Sequence, residues 1–320
     1  MNAQTLSSPP NSTNVRPTFK RRSNRLLNPL HLIGMALRTR ALLAPASAAR
    51  RATDLFSTPM PGTRERALRS PTDGAIQREL ELSEGSVMSY HWGSDPSQPL
   101  ILFSHGWSSF GLRVLPWVTP LRQAGYRVAS FDHLGHGRSS GERATLPQFG
   151  RALTEVARQL GPVHGMIGHS LGGAAVGTAL SEGIAVQRAI LIAPPADPFG
   201  ATARFARALR LPRTLRQAME RELERREGIA LSHWQAHRMA PAIGVPALIV
   251  HDVDDREVGW EEGERYARYW PQARLLSTHG LGHHHVVSAP LVVLEGLRFL
   301  AGEQVGERVV STRELPFGVA

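Results

Sequence analysis

From residue 76 onward, short apolar runs alternate with helical patterns, and this alternation restricts the fold more than any other feature of the chain. Residues 76–82 and 87–92 read as two strands joined by the turn Ser83-Glu84-Gly85. Residues 100–104 form a continuous apolar run, as expected for a strand buried on both faces. Further strands are predicted at 128–131, ending at 166–168, and at 189–192, 247–250 and 275–276. Helical periodicity falls between them, at 115–124, 146–160, 171–181, 260–269 and 290–300. An antiparallel pair followed by alternating strands and helices implies an α/β fold, a mostly parallel eight-stranded sheet with helices on both faces. Residues 196–241 interrupt the rhythm with helical patterns at 203–209, 215–226 and 232–239 and no strand. An insertion placed there is expected to lie over the C-terminal edge of the sheet as a small helical cap, where ligands of open α/β sheets bind.

The chemistry concentrates at Gly168-His169-Ser170-Leu171-Gly172-Gly173. This stretch follows an apolar strand and opens a helix rich in small residues, the setting in which G-x-S-x-G forms a nucleophile elbow. Such a turn needs small flanking residues, which Gly168 and Gly172 supply, and it presents Ser170 at a helix N-terminus. Serine is a weak nucleophile and needs a base. The order that accompanies this elbow is Ser, then Asp or Glu, then His. Downstream, His251-Asp252-Val253-Asp254-Asp255 follows one predicted strand and His279-Gly280-Leu281-Gly282-His283-His284-His285 follows the next.

These motifs resemble those of the α/β-hydrolase family over roughly residues 76–302. Ser104-His105-Gly106-Trp107 is similar to the family's loop after the third strand. Asp132-His133-Leu134-Gly135-His136-Gly137-Arg138-Ser139 is similar to its D-x-x-G-x-G-x-S loop, and Gly282-His283 to its terminal G-H. The resemblance implies a Ser-His-Asp triad with Ser170 as nucleophile, His283 as base and Asp255 as acid. The family's acid loop commonly reads H-G-x-x-D, and Asp252 stands where that glycine would be, so Asp254 remains an alternative to Asp255. Backbone N–H groups of Trp107 and Leu171 are the implied oxyanion donors. His105, His133, His136 and His169 are expected to brace or pack, as is Asp132. Neither a cofactor nor a metal is implied. The implied activity is a serine hydrolase, esterase- or acylglycerol-lipase-like, acting on a small-molecule acyl ester or thioester. A serine aminopeptidase, an acyltransferase or perhydrolase of the same fold, and a non-catalytic binding protein on this scaffold are the alternatives.

Charge bears on the rest of the chain. The formal net charge is +10. Residues 1–70 hold 12 Lys+Arg and 2 Asp+Glu, whereas residues 71–320 hold 25 of each. The excess therefore belongs to a basic N-terminal tail, and a neutral domain at 71–303 gives no reason to expect nucleic acid. Residues 304–320 read as a C-terminal tail. An amphipathic helical pattern runs through residues 28–55, with a break at Pro45 and no acid before Asp54. It fits a helix packed on the domain, peripheral contact with a membrane surface, or a targeting segment. No run is long and apolar enough to span a bilayer. The expected location is cytoplasmic, with the membrane surface as the alternative. The chain has no cysteine, which excludes disulfides, thiolate metal sites and a cysteine nucleophile.

Overall fold

The computed structural model describes residues 29–309. Three helices come first: α1 (Pro29–Leu43), α2 (Pro45–Phe56) and α3 (Thr63–Arg69). The hairpin β1 (Ile76–Leu82) and β2 (Gly85–Trp92) leads into β3 (Leu100–Ser104), α4 (Leu115–Gln123) and β4 (Arg127–Phe131). Next come α5 (Leu146–Leu160), β5 (Val163–His169), α6 (Leu171–Ser181) and β6 (Arg188–Ile192). The insertion carries α7 (Pro198–Leu209), α8 (Arg213–Glu227) and α9 (Ala236–Met239). The chain then completes the sheet with β7 (Ala247–Asp252), α10 (Trp260–Tyr269), β8 (Ala273–Thr278), α11 (Gly282–His285) and α12 (Pro290–Leu300).

The eight strands form one sheet in the order β1-β2-β4-β3-β5-β6-β7-β8. β1, β2 and β4 pair antiparallel, and every pair from β4 through β8 is parallel. Side chains alternate across a strand, so β3 sends Ile101 and Phe103 to one face and Leu102 to the other. Leu102 joins Met166, Leu191 and Ile249 under α5, α6 and α10. Ile101 and Phe103 join Ile167, Ile190 and Leu248 under α4 and α12. With both faces covered, the central strands are continuously apolar, as their sequences require. The parallel register carries the C-terminal ends of β3, β5, β7 and β8 to one edge, and the loops leaving that edge hold the predicted site residues.

Local signals set the helix boundaries. Thr145 caps α5 through its hydroxyl, with Pro147 in the first turn, and Asp197 caps α7 with Pro198 behind it. The α7 helix therefore starts five residues earlier than its apolar periodicity predicts. The pattern at 232–239 resolves into a 3-10 turn, Leu231–Trp234, and the short α9, separated by extended Gln235.

Residues 29–69 do not hang free as a tail. The break at Pro45 separates two helices that pack on the insertion. Ala48, Ala49 and Ala52 of α2 meet Leu215 and Met219 of α8, with Leu37 and Leu209 beside them. Small side chains let the helix axes approach closely, and a Cβ on Gly34 of α1 would lie 2.0 Å from the Leu209 carbonyl oxygen. Asp54 pairs with Arg226 of α8 and with Arg143, before α5, both at 2.8 Å. The segment then runs along the sheet edge, where Ala144 N–H donates to the Ser57 carbonyl and Met60 N–H donates to Ser108 Oγ. The start of the C-terminal stretch is also pinned, contrary to expectation. Glu307 exchanges two 2.7 Å backbone hydrogen bonds with Leu275, and Val305 is buried. The remainder of the predicted C-terminal tail, and residues 1–28, lie outside the described residues. No helix among the described residues is long and apolar enough to cross a membrane.

Candidate active site

Ser170 sits between β5 and α6 at φ 53° and ψ −124°. A non-glycine residue in that region is strained by about 1–3 kcal/mol and persists only where its surroundings hold it. The surroundings are three glycines at close quarters. A Cβ on Gly168 would lie 2.4 Å from the Gly172 carbonyl oxygen, one on Gly172 2.2 Å from the Ser104 carbonyl oxygen, and one on Gly106 2.9 Å from the Ser170 Cβ. The loop after β3 thus runs directly against the serine.

The Ser170 hydroxyl is 2.9 Å from His283 Nε2, and His283 Nδ1 is 2.7 Å from Asp255 Oδ2. Asp255 Oδ1 accepts the N–H groups of Glu257 and Val258 at 2.8 and 2.9 Å. These bonds fix the carboxylate plane and aim Oδ2 at the imidazole. Burial acts to raise the Asp255 pKa. The neighbouring His251 ring, with hydrogen bonds from His283 and the Val258 N–H, outweighs it and holds the carboxyl well below the usual carboxylate range.

The neighbouring acids face elsewhere. Asp254 accepts the Gly280 N–H at 2.9 Å. Asp252 accepts the N–H groups of Asp254, Leu281 and Gly282 and the Thr278 hydroxyl. It therefore ties the loop after β7 to the loop after β8 and keeps Asp255 and His283 in register. The three consecutive histidines diverge: His283 is buried, whereas exposed His284 pairs with Glu257 at 2.7 Å.

One residue of the site carried no predicted role. His251 is fully buried at the end of β7, its Nε2–H donating to the Val258 carbonyl at 2.9 Å and lying 3.5 Å from Asp255 Oδ2. The available signal was a histidine closing an apolar strand four residues before the acid.

A second group of histidines braces the loop that carries Gly106 and Trp107. His105 donates from Nδ1 to the Gly106 carbonyl and accepts the His133 N–H at Nε2, at 2.7 and 2.9 Å. His136 accepts the Ser108 N–H at Nε2. His133 stacks on Phe149 with centroids 3.7 Å apart, and its Nε2 lies 2.8 Å from Ser104 Oγ. His169 donates from Nε2 to the His283 carbonyl at 2.9 Å. Burial depresses all four, His105 to about 4, His136 and His169 to about 3 and His133 well below its ordinary value, so they are neutral near pH 7. Asp132 ties the same loops together, accepting the Tyr90 hydroxyl and the N–H groups of Gly111 and Arg138.

Leu171 opens α6, so its N–H is one of the donors a helix start leaves without an intrahelical partner. The Trp107 N–H makes no backbone hydrogen bond among the described residues. The Trp107 ring packs edge-on against His136, with centroids 5.1 Å apart.

Comparison with known proteins agrees with this architecture. Residues 95–240 match the family described as serine aminopeptidase, S33. A non-heme chloroperoxidase from Streptomyces lividans is 27% identical over 66% of this chain and 94% of its own length. A monoglyceride lipase homolog from Monkeypox virus is 30% identical, over 23% of this chain and 29% of that protein. Among solved structures, alpha/beta hydrolase domain-containing protein 10 from mouse superposes with a TM-score of 0.56 at 19% identity. That superposition covers 71% of this chain and 97% of the mouse chain. The sheet order and the superposition together show that the chain has the α/β-hydrolase fold.

Proposed function

We propose that this chain is a serine hydrolase that cleaves a carboxylic ester, an acylglycerol or thioester falling within the same chemistry. The observation that carries the reading is the unbroken hydrogen-bonded series from Ser170 Oγ through the His283 ring to Asp255. Ser170 Oγ attacks the acyl carbon as His283 Nε2 takes its proton. Asp255 holds the imidazole with its proton on Nδ1 and stabilises the cation that forms. The carbonyl oxygen becomes an oxyanion held by the N–H groups of Trp107 and Leu171, each such donor being worth about 100- to 1000-fold in rate. Collapse breaks the bond to the leaving alkoxide, which takes the proton from Nε2 and departs as the alcohol. Water then attacks the acyl-enzyme with His283 as base, and the carboxylic acid leaves as Ser170 is regenerated. The helical insertion acts as the cap over this reaction.

The acids of the insertion favour an ester over a peptide with a free amine, the substrate class of the matched family's description. An aminopeptidase cap normally holds the substrate amine with carboxylates. Here Asp197 caps α7, Glu220 binds Thr202 and Arg216, and Glu222 pairs with Arg225 and Arg226. Glu224 accepts the Leu231 N–H, and Glu227 binds Thr145 and Arg151. The name of the viral relative, a monoglyceride lipase homolog, also supports an ester.

The test is hydrolysis of p-nitrophenyl esters from acetyl to palmitoyl, comparing the wild type with Ser170→Ala. The expected result is turnover by the wild type and a fall of about 10⁴-fold or more in the variant. Equal rates for the two proteins would refute Ser170 as nucleophile. Inertness of both, with turnover of an amide, would favour the aminopeptidase.

A further inference from the structure

The outward half of α1 is apolar where a soluble helix should be polar. Leu32, Ile33 and Met35 are 47, 37 and 50% exposed, and Leu42 and Leu43 are 84 and 85% exposed. The inward half is already satisfied by Gly34, Leu37 and Arg38, which seat the helix on the end of α7. A helix that is apolar on its packed side and again on its open side has a second partner to meet. Between α1 and α2 runs an open groove of about 780 Å³, lined mostly by apolar side chains, with Thr39, Arg40 and Arg51 also in its wall.

Charge identifies the partner. Exposed Arg40, Arg50 and Arg51 lie on the same two helices, and residues 29–53 contain no acid. Among the described residues, Arg40 bonds only the neutral Ser47 hydroxyl, and neither Arg50 nor Arg51 forms an ion pair. A second copy docked face to face would bring the two sets of arginines together, which disfavours a symmetric dimer here. An apolar stripe flanked by unneutralised arginines instead matches the interface of an anionic phospholipid bilayer. Leucines there enter the acyl boundary while guanidinium groups meet phosphate.

We propose that α1 and α2 form a docking surface for anionic phospholipid membranes. Each arginine near such a surface strengthens binding about fivefold, so three contribute about 100-fold. The proposal does not rest on the hydrolase reading, because docking requires no turnover.

The experiment is co-sedimentation of the full chain with vesicles, either pure phosphatidylcholine or phosphatidylcholine mixed with phosphatidylglycerol, at low and high salt. Wild type and Ser170→Ala are expected to bind the mixed vesicles equally, with binding weakened by salt. The triple variant R40Q/R50Q/R51Q is expected to bind about 100-fold more weakly. L42S/L43S is expected to lose binding while keeping the wild-type melting temperature, since both side chains already face water. Failure of the wild type to bind mixed vesicles, equal binding to pure phosphatidylcholine, or unaltered binding by the arginine variant would overturn the proposal. So would a wild-type dimer in size-exclusion chromatography that L42S/L43S dissociates without any vesicle binding. Vesicle binding by a protein inert toward all esters would overturn the hydrolase reading alone.

Discussion

Replacing Asp255 with Asn tests the site most sharply, because the structure dictates which way the amide must face. Asp255 Oδ1 accepts two backbone N–H groups and Oδ2 accepts His283 Nδ1–H. Asn has one oxygen to offer. Placing its NH2 toward Glu257 and Val258 would set a donor against two donors, at about 1–3 kcal/mol for each group left unsatisfied. The amide therefore keeps its oxygen on the loop and turns its NH2 toward His283. The imidazole must then accept at Nδ1 and carry its proton on Nε2, where it can no longer take the proton of Ser170. A wrong tautomer in an otherwise intact triad costs about 10⁴-fold in kcat, roughly 5.5 kcal/mol. The assay is p-nitrophenyl ester hydrolysis with a thermal melt alongside, and the melt should show a folded variant because the loop bonds survive. Asp254→Asn is the control. Its side chain serves only the loop, and its effect is expected within about 0.5 kcal/mol, roughly twofold. Asp255→Asn activity within tenfold of wild type, or equal losses for the two variants, would refute the assignment of Asp255 and the tautomer argument together.

Stability should fall as pH drops below about 6.5. His105, His133, His136 and His169 have folded pKa values depressed by burial, so the unfolded chain takes up protons first and the stability present above 6.5 is lost toward about 4. Asp132 and Glu262, raised by burial, oppose this. The fall is readable by urea titration at a series of pH values, and a flat profile would contradict neutral buried histidines. At the elbow, Gly172→Ala would push a Cβ to 2.2 Å from a backbone carbonyl, whereas Gly173→Ala meets nothing nearer than 3.2 Å. The first is expected to cost about 1–3 kcal/mol in denaturant unfolding and most of the ester activity, the second clearly less. Equal effects would mean the strand–helix approach is looser than described.

What was legible in the sequence had short-range causes. The run at 100–104 is a strand because every residue in it can be buried on either face, and the structure gives Leu100–Ser104. The elbow was legible because its glycines answer to contacts within a few residues and to one neighbouring loop. The choice between Asp254 and Asp255 was not legible without the family pattern. It depends on Gly280 and His283, residues about thirty positions away that only the β7–β8 pairing brings near. The strand order, with β4 between β2 and β3, follows from connections that no periodicity encodes. The seat of α2 was equally hidden. Its contact face is three alanines, and alanine signals a helix without naming a partner.

The packing of α2 on α8 also carries a consequence for divergence. Leu209, Leu215 and Met219 are almost fully buried, and residues of the N-terminal helices form the cluster that buries them. Each would lose up to about 1.5–3 kcal/mol of burial if those helices were removed. A chain with the same insertion but without these helices is therefore expected to carry more polar residues at the three positions. Presence of the N-terminal segment and hydrophobicity at 209, 215 and 219 should be inherited together, a covariation that an alignment of descendants could read without any further structure.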